Sequence, residues 1–257
     1  MFQKTASRRR APLHFRRIEL KYLIPDRIIP MFIDRIKPYT QPDPFLIEEG
    51  RGRLEYPVSS LYFDSIDLHA LHEKESGLLS RRKVRLRTYE ESFSETSSAF
   101  LEIKRRHDFI VSKDRLSLSM DKIDESLPMS ELLDHLLKNI EASEDVTHEA
   151  NMLNKWFNLQ PATLISYHRI PFVGMQDRRF RITIDSNIGS SWKPQSLYGK
   201  PFLTSCHPGW SVLELKSNHA VPSWFHDTIQ DFQLTRTSHS KYSIGTLSSR
   251  ERLEWKN

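Results

Sequence analysis

Three copies of one short pattern carry the chemistry of this sequence: Ile18-Glu19-Leu20-Lys21, Leu101-Glu102-Ile103-Lys104 and Leu213-Glu214-Leu215-Lys216. In each, a carboxylate and an ammonium stand two residues apart. A β-strand puts such a pair on one face and the intervening aliphatic residues on the other. Lys83-Val84-Arg85-Leu86-Arg87 repeats the spacing with three cations. Arg181-Ile182-Thr183-Ile184-Asp185 sets a cation and a carboxylate together, and Tyr167 and Arg169 pair likewise. One such strand is ordinary on a solvated sheet face, where Thr, Ser and Gln usually mix in. Five strands with Arg, Lys and Glu at matched spacing point elsewhere. With the apolar faces turned outward against helices, a sheet closed on itself encloses the cations. Enclosed cations repel one another and lose hydration, so they need a dense polyanion, or carboxylates and water, between them. A triphosphate or longer phosphate chain meets that need. Each charge-assisted hydrogen bond contributes roughly 1.5–3 kcal/mol, and Arg matches phosphate with two parallel donors. Carboxylates among these cations suit a hard divalent cation that also touches phosphate oxygens.

The elements that must position these residues read as α+β with a largely antiparallel sheet, because strands come in groups with helices between them. Strands are expected over Arg16–Leu23, Val58–Phe63, Arg82–Tyr89, Ala99–Arg106, Phe109–Leu118, Ala162–Pro171, Arg178–Asn187 and Trp210–Ser217. Pro25 opens a helix whose stripe is Ile28, Ile29, Phe32, Ile33 and Ile36. Asp64 or Ser65 caps a short helix over Ile66–Lys74. Leu132, Leu133, Leu136, Leu137 and Ile140 mark another helix, a further helical segment covers about 145–158, and a last helix covers Pro222–Phe232. Residues 38–57, 91–98 and 188–209 read as loops. No boundary splits the chain. Residues 1–13 form a flexible basic tail, 14–245 one domain with a helical insertion at about 119–160, and 246–257 a C-terminal tail. A fourth Glu-x-Lys, Leu253-Glu254-Trp255-Lys256, falls in that frayed end.

Composition narrows the chemistry. The chain has 257 residues, with 38 Lys and Arg against 33 Asp and Glu, and can bury a sizeable core. Its 8 glycines stand against 14 prolines and assemble neither G-x-G-x-x-G nor G-x-x-x-x-G-K-[ST]. The two common backbone cradles for phosphate are therefore absent, and side chains must hold any phosphate. Cys206 is the single cysteine, which excludes an intrachain disulfide and a Cys-based zinc site. No run approaches about 18 apolar residues, so no spanning helix is expected. Arg8, Arg9 and Arg10 have no apolar segment behind them, which argues against a secretory signal and for a cytoplasmic chain. A pI near 9.2 invites a nucleic-acid reading. The aromatics scatter and the cations keep strand spacing, so no nucleic acid is expected. His69-x-x-His72-Glu73 lacks a third ligand, and Cys206-His207 lacks a partner for nucleophilic work.

Taken in order, Glu19-Leu20-Lys21-Tyr22, Tyr62-Phe63-Asp64, Arg82 to Arg87, Leu101 to Lys104, Arg181 to Asp185, Leu213 to Lys216 and Ser240-Lys241-Tyr242 resemble the VTC domain. This is the polyphosphate polymerase branch of the triphosphate tunnel metalloenzymes, a superfamily that includes the CYTH proteins. The resemblance spans about residues 14–245. It implies an eight-stranded antiparallel β-barrel with helices packed outside, and transfer of the ATP γ-phosphate onto polyphosphate with Mn²⁺ or Mg²⁺. It further implies that Lys21, Arg85, Arg87, Lys104, Arg169 and Arg181 act on the phosphates. Lys113, Lys216, Lys241 and Glu19 would contact substrate, and Glu214, with Glu102 and Asp185, would hold the metal. Arg17 stands where the hydrolytic CYTH relatives keep a first Glu, which weakens the case for a two-metal hydrolase. The eukaryotic polymerases also carry a phosphate-binding domain and membrane segments for which this chain has no room, so a separate membrane protein is an implied partner. A tripolyphosphatase of the same fold and a non-catalytic polyphosphate or nucleotide sensor are the alternatives.

Overall fold

The computed structural model describes residues 18–44, 46, 54–90, 98–108, 110–119, 127–139, 144–197, 203–218 and 220–254. The expected basic tail at 1–13, most of the 91–98 loop, Arg17 and Ile140 lie outside them.

Eight long strands follow the spatial order β1-β10-β8-β7-β3-β4-β5-β6, every neighbouring pair antiparallel. They are β1 (Ile18–Pro25), β3 (Tyr56–Asp64), β4 (Ser80–Thr88), β5 (Ser98–His107), β6 (Ile110–Ser119), β7 (Gln160–Gly174), β8 (Arg181–Trp192) and β10 (Trp210–Ser217). Two short strands flank this path: β2 (Thr40–Pro42) pairs with β7, and β9 (Thr204–Ser205) pairs with β8. These two fall inside segments expected as loops, and β8 runs on to Trp192 past its expected end at Asn187. Register shifts at Tyr62/Phe63 and at Ser166/His168 bend the middle of the sheet, as bulges do. Curling brings its far sides together. Lys104 on β5 interacts electrostatically with Glu19 on β1 and Glu214 on β10. Among the described residues no ladder joins β1 to β6, so side chains rather than backbone bonds span that gap.

The aliphatic residues of the alternating strands point outward under two helical covers. Leu61, Phe63, Val84, Leu86, Leu101, Ile103, Leu116 and Leu118 pack beneath α3 (Leu132–Asn139) and α4 (Glu144–Phe157). All four expected leucines of α3 are buried. Ile182, Ile184, Leu213 and Leu215 pack beneath α1 (Ile29–Ile36) and α5 (Ser223–Asp231) through Phe32, Ile36 and Phe225. The helix after β3, α2 (His69–Glu75), begins three residues later than the expected Ile66, behind a left-handed Leu68, and Asp64 holds its first turn. One carboxylate oxygen accepts from Ser65 and Ala70 N–H at 2.8 and 2.9 Å, and the other from Leu71 at 3.2 Å.

The C-terminal tail expected at 246–257 is corrected. Residues 246–254 continue a helix, α6 (Lys241–Glu254). Its sequence, KYSIGTLSSRERLE, has no regular apolar stripe, so periodicity could not reveal it. Tertiary contact holds it instead. Tyr242 is buried among Val58, Tyr62, Ile165, Tyr167 and Val212 on the charged side of the sheet. Its hydroxyl donates to Asp64, and Thr246 Oγ1 meets Thr163 Oγ1 at 2.8 Å. Gly245 permits this approach, since a Cβ there would lie 2.2 Å from Ile165 Cδ1 and 3.0 Å from Ser190 Cβ. Overpacking a close contact costs about 1–3 kcal/mol. Gly245→Val should therefore lower the urea-unfolding free energy by about that much, despite the better helix propensity of valine; an unchanged midpoint would show that α6 does not seat on β7.

Candidate active site

Cross-strand register places every charged candidate residue of the strands on one face of the sheet. Glu19 pairs with Lys216, and Lys216 with Arg181. Lys21 pairs with Glu214. Asp185 pairs with Arg169, and Arg169 with Tyr56. On the other side Tyr62 pairs with Arg85, Arg85 with Glu102, and Glu102 with Arg115; Lys83, Lys104 and Lys113 form the next row. Directly paired residues share a face, so these rows share one concave surface. Lys241 enters the same space from the first turn of α6, with its Nζ 2.5 Å from Asp185.

Two buried carboxylates, Glu102 and Asp185, hold this surface together by each serving several cations. Glu102 is fully buried. Its Oε2 takes Arg85 Nε at 2.7 Å and Nη2 at 2.6 Å, while Oε1 takes Lys113 at 2.9 Å and Arg115 at 3.0 Å; Arg87 stands at 3.8 Å. Burial opposes its ionisation, but Arg85 and Arg87 hold the carboxyl well below the usual range. Asp185 is bound on both oxygens by Arg169, at 2.6 and 2.8 Å, and by Lys241. Burial opposes its charge too, yet Arg169 and Lys241 hold it at about 2. Glu214 takes Lys216 at 2.8 Å and lies in the field of Lys21, Lys241 and Arg169. Glu19 takes Lys21 at 3.1 Å.

Two half-buried lysines of this surface, Lys83 and Lys104, have no such partner. Among the described residues no carboxylate lies within ion-pair distance of Lys83 or Lys104; Lys83 reaches the Ser240 hydroxyl at 3.5 Å and lies 4.7 Å from the centre of the Tyr242 ring. Burial first, and then neighbouring cations, push both ammoniums down to about 8. Tyr62, whose hydroxyl accepts from Arg85 Nη1 at 2.9 Å, moves with them. Burial raises its phenol, but Arg85 and Arg87 outweigh that and bring it to about 7. The surface is thus short of negative charge.

The candidate residues do not all sit alike. Lys21, Arg85, Arg87, Lys104, Arg169, Glu214 and Lys241 converge; Lys113 and Lys216 join through Glu102 and Glu214. Arg181 is solvent-exposed at the rim. Glu102 and Asp185 are saturated by Arg and Lys, so their geometry makes them counter-ions. Among the described residues no three His, Cys, Asp or Glu side chains converge as a metal cage. Glu214 and Glu19, each with one close lysine, are the carboxylates that retain free lone pairs for a hard cation, whose remaining ligands would be phosphate oxygens and water. Sequence reasoning passed over Arg115, Lys83 and Tyr62 as site residues. Strand parity was available for all three: Arg115 shares the face of Lys113, Lys83 that of Arg85, and Tyr62 that of Ser60.

A concave, cation-lined surface inside a curled antiparallel sheet with outward helices defines the triphosphate tunnel class. A solved structure of a candidate adenylate cyclase from Bacillus halodurans shares this fold, with a TM-score of 0.50 and 15% identity over 87% of this chain and 92% of that one. A candidate cyclase from Vibrio parahaemolyticus matches at 0.45 and 12% over 89% and 96%. A Hippeastrum adenylyl cyclase candidate described as having a dominant triphosphatase activity matches at 0.49 and 11% over 89% and 93%. The model of the VTC domain family matches residues 16–250, so the chain belongs to that family. No curated protein matches it by sequence.

The Glu102 hub yields a sharp expectation. Removing one member of a buried ion cluster costs about 3–5 kcal/mol. Glu102→Gln should lower stability by about that amount without ligand, and tripolyphosphate should restore more stability to the variant than to the parent protein. Equal losses in urea melts with and without tripolyphosphate would show that the four cations do not face the anion.

Proposed function

We propose that this chain is a metal-dependent phosphotransferase that moves the γ-phosphate of ATP onto a growing polyphosphate chain. The observation that carries the reading is the half-buried pair Lys83 and Lys104, cations without carboxylate partners within ion-pair distance, beside Arg85, Arg87 and Lys21. A phosphate chain supplies the missing charge. Membership of the VTC family supports the same substrate class. Arg85 and Lys21 would grip the triphosphate with Arg87, while Arg169 and Lys241, braced by Asp185, would neutralise the oxygens of the transferring group. A terminal oxygen of the acceptor attacks the γ-phosphorus in line, and the bond to the bridging β–γ oxygen breaks, releasing ADP. An ionised acceptor phosphate needs no base, so catalysis is positioning plus charge stabilisation. Glu214, with Glu19 beside it, would hold Mn²⁺ or Mg²⁺, which when bound offsets phosphate charge. Among the described residues no helix is long and apolar enough to cross a membrane. A cytoplasmic setting and a separate membrane partner for the product belong to this proposal.

One group favours a second reading, a tripolyphosphatase. Hydrolysis requires a base for water, and Glu102, Asp185 and Glu214 are held ionised too firmly to serve. The Tyr62 phenol, at about 7, has suitable strength.

Incubation with ATP and Mn²⁺ should give long-chain polyphosphate and matching ADP. Arg87→Ala should reduce the rate by roughly a hundredfold or more, as loss of a transition-state donor does. Orthophosphate release without polymer, abolished by Tyr62→Phe, would establish the hydrolase instead, and tight binding without turnover would establish a sensor. Binding also has a pH signature. Lys83 and Lys104 lose their protons near pH 8 in the free protein, against an ordinary value of 10.5, so tripolyphosphate affinity should fall from pH 7 to 9.5. Stability of the free protein should move the opposite way. The unfolded chain binds more protons above pH 8, so the cost of burying these charges is relieved between about pH 8 and 10.5. Calorimetric titration and melts across that range check both signs.

A further inference from the structure

Two exposed turns meet at the end of strands β4, β5 and β6. Helix α2 closes with a left-handed Gly77 at φ +69°; the Gly77 N–H reaches the Lys74 carbonyl at 3.3 Å and the Leu78 N–H reaches the Glu73 carbonyl at 3.0 Å. In this cap the apolar residue after the glycine commonly folds back on its helix. Here Leu78 stays 50% exposed and Leu79 65%. The β5–β6 turn answers them: Asp108, at φ +53°, donates its N–H to the Leu79 carbonyl at 2.8 Å and so ties the two turns together. Just beyond it Ile110 is 66% and Val111 44% exposed. Four aliphatic side chains therefore stand out from one lip on hydrogen-bonded backbone, and an exposed apolar cluster of this kind marks an interaction site.

Cations share the lip. Arg81 and Arg106 are cross-strand partners, one row beyond Lys83 and Lys104 on the charged face. Their guanidiniums donate to backbone carbonyls, Arg81 to Lys74 at 3.5 Å and Arg106 to Asp108 at 2.8 Å. Among the described residues no carboxylate lies within ion-pair distance of either. Burial, and then the charge of Arg106, disfavour the charged form of Arg81, and the carboxylate of Glu73, beyond ion-pair distance, offsets them only in part. Glu75 and Asp108 are the exposed carboxylates beside them, too far to pair. An apolar tip beside arginines that lack counter-ions is complementary to a bilayer surface, where aliphatic side chains enter the acyl boundary and guanidiniums meet headgroup phosphates.

We infer that this lip docks the protein on an anionic lipid bilayer, with Leu78, Leu79, Ile110 and Val111 entering the interface and Arg81 and Arg106 on the headgroups. Docking in this way turns the Lys83–Lys104 end of the charged surface toward the membrane, and it holds whichever phosphate chemistry that surface performs.

The test is cosedimentation of the full chain with vesicles. It should bind phosphatidylserine–phosphatidylcholine vesicles, bind phosphatidylcholine alone far more weakly, and release as salt rises. Leu79→Glu with Ile110→Glu should weaken partitioning by about tenfold or more, with an unchanged melting temperature because both side chains are exposed. Arg81→Ala with Arg106→Ala should flatten the salt dependence. No binding to the mixed vesicles at low salt, or equal binding by the Leu79→Glu/Ile110→Glu variant, overturns the inference. So does a dimer in vesicle-free sedimentation that the same variant dissociates, since that would assign the lip to a second copy of the chain.

Discussion

The structure depends on one electrostatic constraint: cations from six strands and one helix share the inside of a single curled sheet. Like charges at such spacing in a poorly hydrated space repel strongly. The fold survives this because a few buried carboxylates are each shared among several cations. Glu102 gathers Arg85, Lys113 and Arg115, with Arg87 just beyond. Asp185 gathers Arg169 and Lys241. Their placement settles which charges are neutralised and which remain for a ligand. Lys83 and Lys104 fall in the second group, so the local charge imbalance of the surface rests on their placement more than on the overall excess of basic residues.

Covering that interior is a separate task, met by hydrophobic packing. Alternation puts the aliphatic residues of each strand on the outside, where α1 and α5 shield one half of the sheet and α3 and α4 the other. The inner end is handled differently. Helix α6 comes in against the charged side and is anchored by Tyr242, whose hydroxyl donates to Asp64. The same carboxylate caps α2 through the Ala70 and Leu71 N–H groups and also accepts from the Ser65 N–H. One buried side chain therefore joins the end of β3, the start of α2 and the first turn of α6. Because α6 delivers Lys241 to Asp185, this apolar anchoring also positions a site residue.

The metal assignment shows how pairing redistributes roles. Four carboxylates face the interior, and by residue type all are acceptable ligands for Mn²⁺ or Mg²⁺. Guanidinium forks and ammonium groups already occupy both oxygens of Glu102 and Asp185. Glu214 and Glu19 keep capacity. So few free oxygens would leave most of a hard cation's coordination shell to water and to the oxygens of a bound anion.

Much of this was legible in the residues alone. Period-two alternation determined which side chains share a face, and so the composition of the site from Glu19 to Glu214, because a strand leaves no other choice. It determined the outward core and the helices whose apolar stripes match it. Helix α6 was illegible because Gly245 and a polar sequence give no periodic signal; its reason is the contact with Ile165, more than seventy positions away. The partners of each charge were illegible for the same physical reason. Parity says that Glu102 and Lys104 face inward, but the distances that bind Glu102 to Arg115 and leave Lys104 unpaired arise from register, bulges and curvature, which join strands distant in the chain. The sequence by itself decided that a charged face exists. The tertiary structure decided which of its charges are satisfied, because Coulomb energy depends on distance in space and not on separation along the chain.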